Sequence, residues 1–383
     1  MLRRTLLATA PALFLPRTTP ARTPLARSHL SGGSSSFLPS SYAFSNPFRY
    51  NSGYPTKTNT GDGYAPTWAD DGNLYIQSND TFNGFQNDAS GANASLAVLD
   101  GYTSSVTGHT VNNNLIFGTT SATGPNGWNW KCGGVLSVGS NLYAAMTGSD
   151  TIGNFQTQLM KSTDHFATVA PTPPPGVVPY TSPMLPNVYA RGFVQYGQAY
   201  TGNGPDNSGT YVYMINEAGG LTASLSRVTI ANLPNLNGAD WTFYTGGDGM
   251  NSANWSSSAS AAVVMFTMTP SMSPGSSPFL WANPQHLPYF GCYVMVPTYW
   301  PGGGSSSSRA QVHVALQPWG PWTQIGAEFD MTPYGALYGL TVAPSSVVVD
   351  GGRTTVLISS GDFSQTDPST GQYCVHLLTM TLT

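Results

Sequence analysis

The chain has 383 residues, of which 40% are hydrophobic, 12% are aromatic and only 8% are charged. The aromatic content excludes a disordered chain, which would be poor in such residues. The 13 basic and 17 acidic residues exclude a nucleic-acid-binding protein, which would carry clustered Lys and Arg. The 43 Gly and 30 Pro residues favour turns over helices, and an all-β chain of this length can fold as one domain.

The first 27 residues contain five Arg and no acidic residue, whereas the rest of the chain has more acidic than basic residues. The first acidic residue is Asp62. Arg3 and Arg4, followed by the apolar stretch 5–15, predict an export signal, and the Arg pair is typical of the twin-arginine route. An organellar transit peptide is the alternative. This stretch is too short to span a bilayer and no later segment resembles a membrane span, so we expect a secreted or extracytoplasmic protein.

Residues 28–60 are rich in Ser, Pro, Asn and Gly, which predicts a linker or a strap over the folded body. The body is predicted to occupy residues 61–383.

Three cysteines, Cys132, Cys292 and Cys374, form no C-x-x-C pattern, so a zinc or redox motif is absent. One disulfide remains an alternative to the favoured interpretation, which is buried thiols.

From residue 61 onward one layout recurs five times: an apolar run, a polar turn and a second apolar run. The paired runs are 64–69 with 74–78, 135–138 with 142–146, 192–196 with 211–215, 279–282 with 292–296, and 346–349 with 354–358. A further strand-like run follows each pair, at 95–99, 156–161, 224–230, 311–316 and 374–382. Repeated hairpins with an added outer strand predict a single-domain, all-β, five-bladed propeller with antiparallel blades. A β-sandwich is the alternative, but it does not predict five similar units.

The propeller hypothesis gathers acidic and aromatic residues on one face. Residues before the first strand and after the second strand of each blade emerge together, because a hairpin joins the two strands. Carboxylates beside aromatic rings are typical of a carbohydrate site, where rings stack on sugars and two carboxyl groups act as acid and base or as acid and nucleophile. We predict Asp62 as the base, Glu217 as the proton donor and Asp80 as a residue that tunes either. Predicted substrate-binding residues are Trp130, Lys131, Asp150, Tyr189, Arg191, Trp300 and Asp362.

Each of these residues also has a structural interpretation. An Asp after a strand commonly caps a turn, a Trp between strands usually packs in the core, and Lys131 or Arg191 could neutralise nearby carboxylates. The histidines show no ligand spacing, so we expect no catalytic metal and no other cofactor. Structural Ca²⁺ at the Asp-rich turns or at the axis stays open, because oxygen ligands leave a looser sequence pattern.

Two segments resemble the secreted propellers called domain of unknown function 4185. They are Gly61–Tyr75, which reads GDGYAPTWADDGNLY, and Pro318–Thr323, which reads PWGPWT. Residues 161–165 are similar to an Asp-box, although Phe166 and Ala167 replace the usual turn residues. The segment 256–265, assigned to the fourth blade, lacks an Arg expected there. This family includes endo-D-arabinanases, so the resemblance implies a secreted glycan-active protein in which Asp62 matches the acid ahead of the first inner strand.

The leading hypothesis is a glycosidase that acts on furanosidic or other polysaccharide linkages from an acidic pocket at the propeller axis. A non-catalytic carbohydrate-binding or surface-interaction module is the main alternative, and a purely structural extracellular protein is a third. The expected partner is a polysaccharide or oligosaccharide, with no nucleic acid and no membrane span, and the chain is expected to be a monomer.

Overall fold

Five antiparallel sheets follow one another along the chain in the computed structural model, and each sheet is one blade of a β-propeller. The structure describes residues 38–49, 62–79, 94–101, 107–112, 129–149, 155–171, 184–201, 209–274, 283–302, 307–332, 338–348, 350–360 and 375–383. Within these ranges the helical segments are short 3-10 turns, and none is long and apolar enough to cross a membrane. The predicted all-β, five-bladed fold is confirmed. The export signal predicted for residues 1–27 lies outside the described residues.

The first two blades contain four strands each, ordered outwards from the axis. Strand β1 (Tyr42–Arg49) belongs to the fifth blade. The first blade contains β2 (Asp62–Trp68), β3 (Leu74–Asn79), β4 (Ala94–Gly101) and β5 (Thr107–Asn112). The second contains β6 (Asn129–Val138), β7 (Asn141–Ser149), β8 (Phe155–Ser162) and β9 (Leu185–Pro186).

The third blade is the most elaborate. It contains β10 (Ala190–Phe193), β11 (Tyr211–Glu217), β12 (Thr222–Thr229), β13 (Thr242–Tyr244) and β14 (Trp255–Ser256), and β15 (Phe266–Thr267) pairs with β12. Short 3-10 helices lie at Gln198–Tyr200, Leu233–Asn235, Gly238–Asp240, Ser252–Asn254 and Ala259–Ala261. The assignment of residues 256–265 to the fourth blade was therefore wrong, because this segment runs between two strands of the third.

The last two blades complete the ring. The fourth contains β16 (Gln285–Leu287), β17 (Cys292–Met295), β18 (Thr298–Tyr299), β19 (Arg309–Ala315) and β20 (Thr323–Asp330). The fifth contains β21 (Tyr338–Val342), β22 (Thr354–Ser360), β23 (Val375–Leu382) and the outer strand β1. A 3-10 helix, Pro344–Val348, follows β21.

Two predicted inner strands differ from the structure. Residues 346–349 were predicted as the inner strand of the fifth blade, but 344–348 are helical and β21 pairs with β22 instead. The helix is stabilised locally, because the Ser346 hydroxyl donates to the Ala343 carbonyl at 2.7 Å and accepts from the Val356 amide at 3.0 Å. Residues 279–282, predicted for the fourth blade, lie outside the described residues, and the described inner strand there is β16.

Strand β1 lies within the segment predicted to be a linker or strap. It pairs antiparallel with β23, so the fifth blade joins both ends of the described chain. The Ser40 amide donates to the Thr383 carbonyl at 2.7 Å. The side chains of Tyr42 and Phe44 lie on the same face of β1, because residues two apart in a strand point the same way. Both pack against the core between the fourth and fifth blades.

The register of the inner hairpins defines two faces. Asp62 pairs with Asn79, Asn129 with Ser149, Ala190 with Asn216, and Tyr338 with Ser360. These pairs mark the rim face, where the inner strands begin and the second strands end. The hairpin turns at 69–73, 139–140 and 350–353 mark the turn face.

Apolar side chains fill the spaces between neighbouring blades. One buried cluster places Tyr64 and Ile76 of the first blade with Ile358 and Leu377 of the fifth, and this cluster closes the ring. Cys132 and Cys292 are both buried, as predicted for structural thiols, and burial raises the pKa of Cys292 to about 12.

Buried amide and hydroxyl side chains also join the blades. Gln77 of the first blade accepts from the Gly134 amide at 2.9 Å and donates to the Ala145 carbonyl at 3.0 Å, both in the second blade. Gln195, which follows β10, donates to the Val135 carbonyl at 2.8 Å. Because buried polar groups are costly unless paired, these bonds favour one relative position of adjacent blades.

Two buried histidines of the fourth blade make stability depend on pH. Burial lowers the pKa of His286 and of His313 to about 4, below the value near 6.5 expected in the unfolded chain. Protons therefore bind the unfolded state first as pH falls through about 6.5, and the native state loses stability. We expect each histidine to cost about 2 kcal/mol at pH 5 relative to pH 7.5, measured by urea denaturation.

The His286→Gln and His313→Gln variants should show a smaller loss between these two pH values. The matched control is His109→Gln, because His109 is exposed on β5. An unchanged pH dependence in both buried-site variants would contradict the prediction.

Candidate functional site

A carboxylate and a guanidinium meet on the rim face of the third blade. Glu217 is the last residue of β11, and Arg191 lies in the neighbouring strand β10, where the register shifts between Ala190 and Gly192. A bulge of this kind redirects a side chain. Arg191 Nε donates to Glu217 Oε2 at 2.7 Å, and Arg191 Nη2 contacts the same oxygen.

Both contacts between Arg191 and Glu217 are made to the Oε2 atom of Glu217. Among the described residues, Glu217 Oε1 has no hydrogen-bond partner. The two side chains are only 14% and 20% exposed, and the Glu217 amide donates to the Tyr189 carbonyl at 2.8 Å, so the carboxylate is held in place with one oxygen available.

Two aromatic rings extend this arrangement. The Arg191 guanidinium lies 4.4 Å from the centre of the Tyr189 ring, and the Phe155 ring meets Tyr189 edge to face at 5.4 Å. Phe155 begins β8 and is 36% exposed. We call Phe155, Tyr189, Arg191 and Glu217 the rim row.

A pocket of about 230 Å³ lies beside the rim row. Its polar lining consists of Asn187, Asn216, Glu217 and Ser224, and the rest of the lining is apolar. Asn216 and Ser224 face each other across β11 and β12. Glu217 therefore lines a small cavity with mixed polar and apolar walls, which is typical of a small-molecule site.

The structure brings three of the predicted site residues together, namely Glu217, Arg191 and Tyr189. Trp130 is 4% exposed and packs in the core between the first two blades, where its ring fills the space beside Gly148. Lys131 is half-buried near the start of β6, and Trp300 is half-buried after β18.

The side chains of four predicted acids lie outside the described residues. The backbone of Asp62 begins β2 on the rim face, as predicted, but nothing beyond its backbone is described. Asp80, Asp150 and Asp362 lie wholly outside the described ranges.

The only other Glu in the sequence, Glu328 on β20, has a structural environment. Its carboxylate accepts hydrogen bonds from Tyr299 Oη at 2.6 Å, Ser271 Oγ at 2.7 Å and Gln311 Nε2 at 2.9 Å. Burial by itself would raise the pKa of Glu328, but these hydrogen bonds outweigh burial and lower it. All of its described partners belong to the fourth blade or to the segment before it.

On the turn face, Asp70 and Asp71 lie beside His165 of the second blade. His165 Nε2 is 3.0 Å from Asp70 Oδ1 and 3.8 Å from Asp71 Oδ2. One ligand atom from each side chain lies within 4.8 Å of the others, so the three could hold a metal ion. An imidazole in the donor set fits a transition metal better than Ca²⁺. The prediction of structural calcium at the Asp-rich turns stays a prediction.

The Asp-box-like segment keeps the role of a turn despite its altered residues. Asp164 accepts from the Thr168 amide at 2.9 Å, the Thr168 hydroxyl at 2.7 Å and the Ser162 hydroxyl at 2.8 Å, and these bonds lower its pKa. This segment is structural and lies away from the rim row.

The sequence interpretation missed several residues that shape the site: Phe155, Asn187, Asn216, Ser224 and Phe243. Asn216 adjoins the predicted Glu217 at the end of a strand, so its position alone could have identified it. Phe243 gave no signal of this kind, because it reaches the pocket from β13, a strand that was not predicted.

No protein-family model and no curated protein matches this chain. Among solved structures, a protein from Bacteroides ovatus described as a hydrolase is 14% identical, with a TM-score of 0.51 over 85% of this chain and 86% of its own. An α-L-arabinofuranosidase from Podospora anserina has 8% identity and a TM-score of 0.47 over 90% and 97% of the two chains. An endo-arabinase from Bacteroides thetaiotaomicron has 11% identity and a TM-score of 0.42 over 89% and 98%. The first of these likenesses shows a shared fold.

Proposed function

We propose that this protein acts on glycans and is a glycoside hydrolase whose site lies on the rim face around Glu217. The observation that carries the proposal is the Glu217 carboxylate, anchored to Arg191 through one oxygen at the edge of a cavity and next to two aromatic rings. Sugars are recognised by this combination, because their hydroxyl groups need polar partners and their C–H faces pack on rings.

In the proposed mechanism, two carboxyl groups divide the work of glycoside cleavage. Glu217 donates a proton to the leaving oxygen from Oε1, the atom that Arg191 does not contact. From the start of the first inner strand, Asp62 acts as the base and takes a proton from a water molecule, whose oxygen bonds to the anomeric carbon as the glycosidic bond breaks. Asp80 tunes either group. Lys131, Asp150, Trp300 and Asp362 are proposed to contact the glycan on the same face, and Tyr189 and Arg191 position Glu217.

The second candidate function is a non-catalytic carbohydrate-binding or surface-interaction propeller. It is favoured by the Arg191 ion pair, because a carboxylate engaged in this way can serve as a fixed acceptor for sugar hydroxyl groups. A binding module needs the rim row and the pocket but does not need Asp62.

The test is a screen of arabinan, galactan and related glycans for released reducing ends, with the full chain and with Asp62→Asn. We expect the wild type to release reducing ends from at least one glycan, and Asp62→Asn to lower the rate by about 10²–10⁴-fold. Retention of a glycan by the protein without any release of reducing ends would favour the binding module. Equal rates for wild type and variant would remove Asp62 from the mechanism.

The similarity of residues 61–75 and 318–323 to domain of unknown function 4185 supports an arabinan-type substrate. The basic leader supports export by the twin-arginine route.

A further inference from the structure

An exposed aromatic side chain lies at the outer end of the rim row. Among the described residues, two large aromatic side chains are exposed, namely Phe155 at 36% and Tyr289 at 43%. Tyr289 lies on the turn face, because its amide donates at 2.7 Å to the carbonyl of Gly351 in the hairpin turn of the fifth blade. Phe155 lies on the rim face, where it begins β8 and pairs with Ser149 at the end of β7. A single exposed ring is common on protein surfaces, so its neighbours decide whether it has a role.

Two contacts hold Phe155 in position. Its ring meets the Tyr189 ring edge to face, with the ring centres 5.4 Å apart. Its carbonyl accepts from the Asn187 amide at 2.8 Å, so the start of β8 is tied to the segment that leads into β10. A ring that is fixed before a ligand arrives loses little conformational freedom on binding, which favours its use as a binding surface.

The segment between β9 and β10 connects Phe155 to Glu217 and to the pocket. Asn187 is bonded to Phe155, and two residues later the Tyr189 carbonyl accepts from the Glu217 amide at 2.8 Å. Asn187 is exposed, and it lines the pocket together with Glu217. Its side-chain amide can both donate to and accept from sugar hydroxyl groups. The exposed surface therefore continues from the pocket across Asn187 to Phe155.

The separation of Phe155 and Glu217 sets the length of a ligand that touches both. Strands β8 and β11 flank the connecting segment, and neighbouring strands lie about 4.8 Å apart, so the two residues are on the order of 10 Å apart. This distance is longer than one sugar ring. At about 230 Å³ the pocket is smaller than the roughly 300–1,000 Å³ of sites for drug-sized ligands, so a longer saccharide must extend beyond it.

We propose that Phe155 is a second contact point for the glycan, where its ring stacks on a sugar unit that lies beyond the pocket. The inference rests on the proposed action on glycans and narrows the substrate to chains of two or more units, bound across the second and third blades. Asn187 contacts the chain between the two ends. Phe155 is a specificity residue, because it lies away from Glu217 and has no group that can transfer a proton.

The experiment is calorimetric titration of the full chain with the biose and the tetraose of α-1,5-linked L-arabinose and of β-1,4-linked D-galactose. Where a probe is cleaved, every arm carries Glu217→Gln. We expect the tetraose of at least one series to bind about tenfold more tightly than its biose. Phe155→Ala should weaken binding of that tetraose about tenfold and change binding of the biose by less than about twofold.

Three further variants separate stacking from folding. Phe155→Tyr keeps the ring and should retain the affinity of the wild type for the tetraose. Tyr289→Ala is the matched control, because it removes an exposed ring from the turn face and should leave both affinities unchanged. Phe155→Leu keeps apolar bulk without a ring and should also weaken tetraose binding, so it replaces Phe155→Ala if that variant shows no thermal unfolding transition.

Kinetics give a second readout if the protein cleaves a glycan. Phe155→Ala should raise KM for the polysaccharide about tenfold and leave kcat within about twofold of the wild type. The reason is that a contact far from the cleaved bond stabilises the bound substrate and the transition state alike.

The outcomes distinguish this inference from the proposed function. Wild-type affinity for the tetraose in both Phe155→Ala and Phe155→Leu, an equal loss in Tyr289→Ala, or no binding of any probe would overturn the inference, even if glycans are hydrolysed. Tetraose binding that depends on Phe155 in a protein that cleaves no glycan would support the inference and overturn the hydrolase proposal.

Discussion

Replacing Glu217 with Gln is expected to lower the rate of glycan hydrolysis by about 10²–10⁴-fold while the fold is retained. The amide oxygen of the substituted side chain could still accept a hydrogen bond from Arg191, so the position of the side chain should change little. An amide cannot hold an exchangeable carboxyl proton, however, and the leaving sugar oxygen would depart without protonation. The measurement is kcat on whichever glycan the wild type cleaves, with Tm as the check on folding.

Glu328→Gln is the matched control, because it makes the same chemical change at the only other Glu in the sequence. Its carboxylate is fully engaged with Tyr299, Ser271 and Gln311, so the neutral amide should cost about 1–3 kcal/mol of stability. The rate of hydrolysis below the unfolding temperature should stay near that of the wild type. Equal loss of activity in the two variants would contradict the assignment of Glu217.

Deleting residues 1–50 is expected to destabilise the propeller by roughly 3–5 kcal/mol, on the scale of losing one large buried aromatic side chain. The deletion removes β1, leaves β23 as an unprotected edge and removes Phe44, whose ring lies 4.4 Å from that of Phe329. A decrease in Tm of roughly 4–7 °C should follow, because the unfolding entropy of a chain of this length is about 0.7 kcal/mol per kelvin.

The control for this deletion is a shorter one that removes residues 1–37 and keeps β1 intact. It should unfold at the temperature of the full chain, monitored by circular dichroism. If the two truncated proteins have the same Tm, β1 does not contribute to closure of the ring.

The hairpins with polar turns could be predicted from the sequence, whereas two of the inner strands could not. Asp70, Asp71 and Gly72 separate two apolar runs, so the first hairpin is visible in the local pattern. Strand β16 is short and includes Gln285 and His286, both buried, and no pattern based on apolar runs selects such residues. Tertiary contacts between blades determine that strand.

The candidate site was also predictable only in part. Glu217, Arg191 and Tyr189 were predictable because Glu217 ends β11 and the other two flank the start of β10, where the propeller topology places them on the rim face. The pocket was not predictable, because Phe243 reaches it from a strand formed after a long irregular segment.

Closure of the fifth blade by β1 also fixes how the molecule can be tethered. Ser40 and Thr383 are hydrogen-bonded to each other at the end of the sheet where β22 begins, and β22 begins at the hairpin turn 350–353. A fusion partner or surface anchor attached after Thr383 therefore leaves from the side of the disc opposite Glu217. A protein immobilised by this end would present the rim face, with Arg191 and Glu217, to the surrounding medium.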